Sequence, residues 1–235
     1  MARRRVLLKV SGEALCAAGG SGVDAEIVLD FAAQIERARK ASGVELAIVS
    51  GGGNFLRGRS LVEQGMDRTT GDSMGMLATI MNSLALRSAL ERQGVEVRVL
   101  SAIPCGAIAE PFVSWQCIRH LEAGRVVLLA GGTGHPFFTT DTTAALRALE
   151  IQADVVFKGT KVRGIYSADP VSDPNADFFE NLTFRDVLER RLRVMDSTAI
   201  SLCMDNELPI QVFNVTEPGN IERALCGEQN GTLVA

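Results

Sequence analysis

Lysine, serine, glycine and aspartate gather at the ends of apolar runs in this chain, in patterns suited to holding phosphate. In "LLKVSGE", Lys9 is read as following the first strand, with Val10, Ser11 and Gly12 after it. "GGGNFLRG" supplies Gly51, Gly52, Gly53 and Arg57. "GTGHPFFTTD" supplies Thr133, Gly134, His135, Pro136, Phe137, Phe138, Thr139, Thr140 and Asp141. Glycine lets backbone N–H groups approach anionic oxygens, and a helix starting just beyond adds its positive end. Lysine brings a point charge, and the arginine fork grips phosphate with two parallel hydrogen bonds. Each loop alone has a plainer reading: a turn glycine, a solvated lysine, a surface arginine, a threonine capping a helix. Three glycine-rich loops after strands in one chain fit a long anionic ligand better. None is a Walker A loop, because no Gly-Lys-Ser/Thr follows the glycines, and none is a good dinucleotide fingerprint.

These residues need a frame, and the hydrophobic pattern predicts one. "RVLLKV", "ELAIVS", "VEVRVLSA", "RVVLLA", "DVVFKG" and "LPIQVFN" read as strands. Ile27, Phe31, Ile35 and Ala38 recur at helical spacing between the first two. A long amphipathic helix is expected from about Asp72, read as its first residue, to Gln93, with Leu77, Met81, Leu84 and Ser88 on one stripe. "TFRDVLERRL" carries a Thr183-to-Asp186 capping box, and a further helix is expected near Asp196 to Asn206. Continuous apolar strands separated by helices predict an α/β domain with a mostly parallel sheet covered on both faces. One domain spanning 1–235 is expected, with ligands beyond the C-terminal ends of the strands.

Bulk properties narrow the class. A chain of 235 residues, 46% apolar, can bury a substantial core. A net charge of −4 argues against nucleic acid as the main partner. Lys9 interrupts the first apolar stretch, so a signal peptide is not expected there, and no run nears the roughly 20 apolar residues of a membrane span. The five cysteines are scattered without a CxxC pair, which predicts a reduced, cytoplasmic protein; two histidines without paired ligand spacing make a structural zinc improbable.

Taken in order, "LLKVSGE", "GGGNFLRG", "GDSMGMLAT", "GTGHPFFTTD" and "KGTKVRGIYSADP" resemble the bacterial UMP kinases of the amino acid kinase family. The likeness runs on through "LRVMD" and "LPIQVFN" to the final "GTLV". It implies a three-layer α/β/α sandwich with a mostly parallel central sheet, a homohexamer, and transfer of phosphate from ATP to UMP with Mg2+ bound to the ATP. It places the acceptor side mainly in the N-terminal part and the donor side mainly in the C-terminal part. Lys9, Arg57 and Asp141 match catalytic positions, the aspartate orienting lysines around the reacting phosphates. Lys9 to Gly12, Gly53, Arg57, Thr160, Tyr166 and Asp169 match contacts to ATP. Gly51, Gly52, Asp72 and the run from Thr133 to Thr140 match contacts to UMP, with Asp72 on the ribose.

The same resemblance implies activation by GTP and inhibition by UTP. Arg87, Arg98, Trp115 and Arg125 match a GTP site between subunits; Ala17, Ala18, Gly19, Gly20, Ser21 and Gly22 match a segment linked to GTP activation. Arginines that solubilise strand ends and a tryptophan in the core are the plainer alternative. Three residues depart from the family pattern: Arg163 where aspartate is frequent, His135 where asparagine is common, and Glu91 where a histidine occurs. Two other readings stay open, a metal-oxide storage protein of the same fold and a kinase acting on a carboxylate or carbamate.

Overall fold

A computed structural model describes residues 4–56, 65–192 and 195–235. Its strands are β1 (Arg5–Val10), β2 (Glu45–Ser50), β3 (Val97–Ser101), β4 (Glu110–Pro111), β5 (Val126–Ala130), β6 (Val155–Thr160), β7 (Ile165–Tyr166), β8 (Phe178–Phe179), β9 (Asn181–Leu182), β10 (Ile210–Asn214) and β11 (Thr232–Val234). Nine of them form one sheet in the order β4-β3-β5-β2-β1-β6-β10-β11-β9. Every neighbouring pair is parallel except β10 with β11. β7 and β8 form a separate antiparallel ribbon.

The helices are α1 (Ala25–Ser42), α2 (Arg68–Arg92), α3 (Ser114–Glu122), α4 (Thr140–Glu150), α5 (Phe184–Glu189), α6 (Ser197–Asp205) and α7 (Asn220–Leu225), with a short 3-10 turn over Gly12–Leu15. Side chains alternate across a strand, so each strand feeds two cores. Val6, Leu8 and Val10 join one core with α1, α2 and α7. Leu7 joins the other with α3, α4, α5 and α6. The mostly parallel sheet covered on both faces, expected from the apolar runs, is the architecture observed, and it forms the sandwich that the resemblance implied. Among the described residues no helix is long and apolar enough to cross a membrane.

Three local expectations need correction. α2 begins at Arg68, not Asp72, because the Asp67 carboxylate caps it by accepting from the Thr70 N–H at 2.9 Å. Asp72 therefore lies in the second turn. The stripe of Leu77, Met81, Leu84 and Ser88 is not the buried one: Leu77 and Met81 are about half exposed, while Ala78, Ile80, Leu86 and Leu90 face the core. The small residues Ala78, Thr79, Asn82 and Ser83 let α2 approach the sheet closely, and they mask the buried face in the sequence pattern. Lys9 sits within β1 rather than after it.

Candidate active site

Strand alternation sends Lys9 to the same face as Leu7, and Lys158 to the same face as Val156. β1 and β6 are neighbours, and their register pairs Lys9 directly with Lys158. Adjacent strands lie about 4.8 Å apart, so two ammoniums are held side by side under a helix. Like charges in that position repel, and the first turn of α4 supplies the compensation. Asp141 Oδ1 lies 2.8 Å from Lys9 Nζ, and its Oδ2 lies 2.8 Å from Lys158 Nζ. All three side chains are less than a fifth exposed.

Burial acts most strongly on the Asp141 carboxyl and would raise its pKa; the charges and hydrogen bonds of Lys9 and Lys158 outweigh burial and hold it below the usual carboxylate range. For Lys158, burial is again the main influence and lowers the pKa, the Lys9 charge adds to the lowering, and Asp141 with Asp196 only partly restores it. Two ammoniums are thus fixed side by side on one carboxylate in a poorly solvated place, with the Asp196 charge also acting on Lys158; paired cations of this kind suit a transferring phosphoryl group.

Asp141 is held in place from both sides of the chain. Thr139 caps α4, its hydroxyl accepting from the N–H groups of Asp141 and Thr142. The Thr139 hydroxyl itself donates to Asp196, as does Thr142 at 2.9 Å. Asp196 in turn caps α6 through the Ala199 N–H. The capping role and the chemical role of "TTD" therefore coexist.

On one side of this centre a cavity of about 780 Å³ is lined by Gly52, Gly53, Asp72, Thr133, His135, Phe138, Thr139 and Thr140, among others. Its wall is locked by Asp72, which accepts from Arg68 Nε at 2.8 Å and from the Phe137 N–H at 2.7 Å. Gly51 is buried beneath it; Gly134, Pro136 and Phe137 shape the loop without lining the cavity. Gly131 adopts a φ of 75°, and a Cβ there would lie 2.9 Å from the Ile103 N. A Cβ on Gly12 would lie 2.4 Å from the Gly51 carbonyl, so the first two glycine loops touch backbone to backbone. Asn54 and Asn82, a buried pair that the sequence did not single out, bind these loops together: Asn82 donates to the Gly51 carbonyl at 2.7 Å and to Asn54 at 2.8 Å.

On the other side a cavity of about 450 Å³ is lined by Asp141, Lys158, Arg191, Leu192 and Ser197. A third, of about 460 Å³, is lined by Tyr166, Asp169, Arg191 and Leu192. Tyr166 packs edge-to-face on Phe178, and Arg163 lies 4.2 Å over the Phe178 ring, so the departure from aspartate is absorbed by stacking. Thr160 closes β6, its hydroxyl donating to the carbonyl of Val162. Val10 is buried in β1 and Ser11 caps the 3-10 turn. Arg57 lies outside the described residues.

The proposed effector residues sit at the far edge of the sheet. Arg87, Glu91, Arg98 and Glu110 line a cavity of about 360 Å³. Arg125 pairs with Glu96 at 3.1 Å and approaches His120 Nδ1 at 3.0 Å, while His120 Nε2 lies 3.1 Å from Glu110. Trp115 is 55% exposed rather than in the core, with Arg119 over its ring. Ala17 to Gly22 do not join this cluster within the chain. Their segment is tied instead to the glycine loops, Gly22 exchanging hydrogen bonds with Asn54.

Lys158 is the candidate functional residue that the sequence pattern did not single out. Its signal was present: "VVFKG" places a lysine in an apolar strand as "VLLKV" does. Among the described residues no three His, Cys, Asp or Glu side chains gather as a metal cage, and both Asp141 oxygens face ammoniums. Cys117 and Cys203 are buried, and that burial pushes both thiols up to about 12.

The amino acid kinase family model matches residues 4–214. A UMP kinase from Bacillus anthracis superposes with a TM-score of 0.94 at 39% identity, covering 98% of this chain and 95% of that one. A UMP kinase from Ureaplasma parvum gives 0.93 at 38% identity, with 100% of both chains covered. A uridylate kinase from Archaeoglobus fulgidus gives 0.74 at 31%, covering 98% and 99%. The chain belongs to the amino acid kinase family. Within that family it falls among the bacterial UMP kinases, which makes it a nucleoside monophosphate kinase.

Proposed function

We propose that this chain transfers the γ-phosphoryl group of ATP to UMP, giving UDP and ADP, with Mg2+ carried on the ATP. The observation that supports it most is the position of Lys9, Asp141 and Lys158 between two cavities. We assign UMP to the cavity bearing Asp72 and Thr140, and ATP to the two cavities that share Arg191 and Leu192. The acceptor oxygen needs no strong base, because the second pKa of a phosphate monoester is about 6. The obstacle is repulsion between two polyanions, so positioning and cationic stabilisation supply the catalysis. Lys9 and Lys158 would face the phosphoryl oxygens as charge moves between them, and Asp141 would keep both ammoniums aimed. Mg2+ when bound would spread the charge of the ATP phosphates.

Regulation by GTP and UTP belongs to this proposal, with GTP at the edge cavity of Arg87 and Arg98, beside Arg125 and Trp115, in a homohexamer. So do a cytoplasmic location and a role in pyrimidine nucleotide synthesis. An assay of ADP release with UMP, CMP, dTMP, glutamate, aspartate and carbamate as acceptors tests the reading. UMP is expected to be the clear favourite. Turnover of an amino acid or carbamate with none of UMP, or metal-oxide content in place of turnover, would overturn it.

A further inference from the structure

Arg191 is placed where a glycine is the favoured residue. α5 ends in a left-handed turn: the Arg191 N–H bonds to the Leu188 carbonyl at 3.2 Å and the Leu192 N–H to the Val187 carbonyl at 3.0 Å. That pair of bonds demands a positive φ at the residue past the cap, which glycine adopts without strain. Here Arg191 adopts it, at 51°. Gln152 and Glu207, also just past helix ends, have φ values of 57° and 53°, so the backbone alone does not distinguish Arg191.

Its side chain does. Among the described residues, Arg191 and Leu192 are the two that line both the cavity beside Lys158 and the cavity of Tyr166 and Asp169. A ligand reaching from one to the other must pass them, and of the two only Arg191 carries a charge. The preceding Arg190 is committed elsewhere, pairing with Asp186 at 3.3 Å and stacking on Phe179. Among the described residues Arg191 has no carboxylate partner, and it is exposed. Asp169, the acid of the neighbouring cavity, is turned to the Val171 N–H at 2.9 Å.

We propose that Arg191 binds the phosphate chain of the nucleoside triphosphate donor, at the seam between the two cavities. It is a donor-binding residue distinct from Lys9 and Lys158, acting on affinity rather than on the transfer step. The inference rests on assigning these two cavities to ATP.

The test compares initial rates of UDP formation for the wild type, Arg191→Gln, Arg191→Gly, Arg191→Lys and the control Gln152→Gly. ATP is varied at saturating UMP, and UMP at saturating ATP. Losing a phosphate contact should raise KM for ATP about tenfold in the Gln and Gly variants, which corresponds to about 1.4 kcal/mol. KM for UMP and kcat should change less than about twofold, the split expected when binding but not transition-state stabilisation is lost. Arg191→Lys should recover part of the affinity. Arg191→Gly should unfold no earlier than the wild type, since it relieves the left-handed backbone, so its defect cannot be misfolding. Gln152→Gly relieves the same kind of turn and should leave KM for ATP unchanged. An active wild type with unchanged KM for ATP in both Arg191→Gln and Arg191→Gly overturns this inference alone. A wild type that binds no ATP and forms no UDP overturns the functional reading, and this inference with it.

Discussion

Two clusters of charge in this molecule are built on opposite plans. At the centre, Lys9 and Lys158 both pair with Asp141 under the first turn of α4, poorly solvated and held side by side. At the sheet edge, Arg98 and Arg125 face Glu96 and Glu110 around His120, balanced in charge, and the Glu96 side chain is 60% exposed. A dry cluster with two adjacent ammoniums is costly to assemble, and those paired cations are what a transferring phosphoryl group can use. A wet, balanced cluster contributes little to stability and must exchange partners before it can hold an anion. Position in the fold therefore separates a buried cluster of paired ammoniums from an exposed cluster of balanced charge.

The largest effects should follow from breaking the centre. Asp141→Asn leaves two adjacent ammoniums without their counter-charge, so stability should fall by about 3–5 kcal/mol, the range for removing one member of a buried pair. Chemical denaturation measures that loss. Lys9→Ala should lower kcat by about 10²–10³-fold, comparable to losing one donor to developing charge, while UMP affinity changes little.

The pH dependence sharpens the same contrast. Asp141 has its folded pKa below the unfolded value of about 3.9, so the stability it contributes is complete above that value and is lost only as pH falls through the lower folded one. Lys158 also has a lowered folded pKa, so the folded protein gives up that proton before the unfolded chain does. Its contribution to stability therefore rises with pH between the folded value and about 10.4, although the charge needed for transfer is disappearing. The kcat/KM profile for ATP should fall on its alkaline side below the ordinary lysine range, and Lys158→Arg should move that limb upward. An alkaline limb unmoved by the arginine would assign it to another group.

Smaller effects are expected away from the ion centre. Asp196→Ala removes the cap of α6 and the anchor of Thr139 and Thr142, so a loss of about 1–2 kcal/mol in denaturation is expected. Turnover should fall less than in Lys9→Ala. At the edge, Arg125→Ala should change stability by only about 0.5 kcal/mol. The same variant should blunt GTP activation and its opposition to UTP in rates measured at limiting UMP.

The strands were legible because β1, β2, β5, β6 and β10 are apolar runs bounded by glycine or polar residues, and both faces of the sheet are covered. Lys9 stood out because Ser11 and Gly12 follow it. Lys158 did not, since its role depends on the register of β1 with β6, which no local pattern encodes. The start of α2 was misread because "DRTTGD" has the composition of a turn, while the capping bond from Asp67 makes it helix. Asp196 was legible as a helix start, but its bonds to Thr139 and Thr142 cross more than fifty residues of sequence.

The most direct test of the central arrangement is the transfer step itself in Lys158→Ala. Enzyme in excess would be saturated with ATP and UMP, and UDP formed in a single turnover followed beside the affinity for each nucleotide. Loss of about 10²-fold or more in rate, with both affinities within a few-fold of the wild type, is the predicted result. A folded variant that forms UDP at close to the wild-type rate would contradict the account.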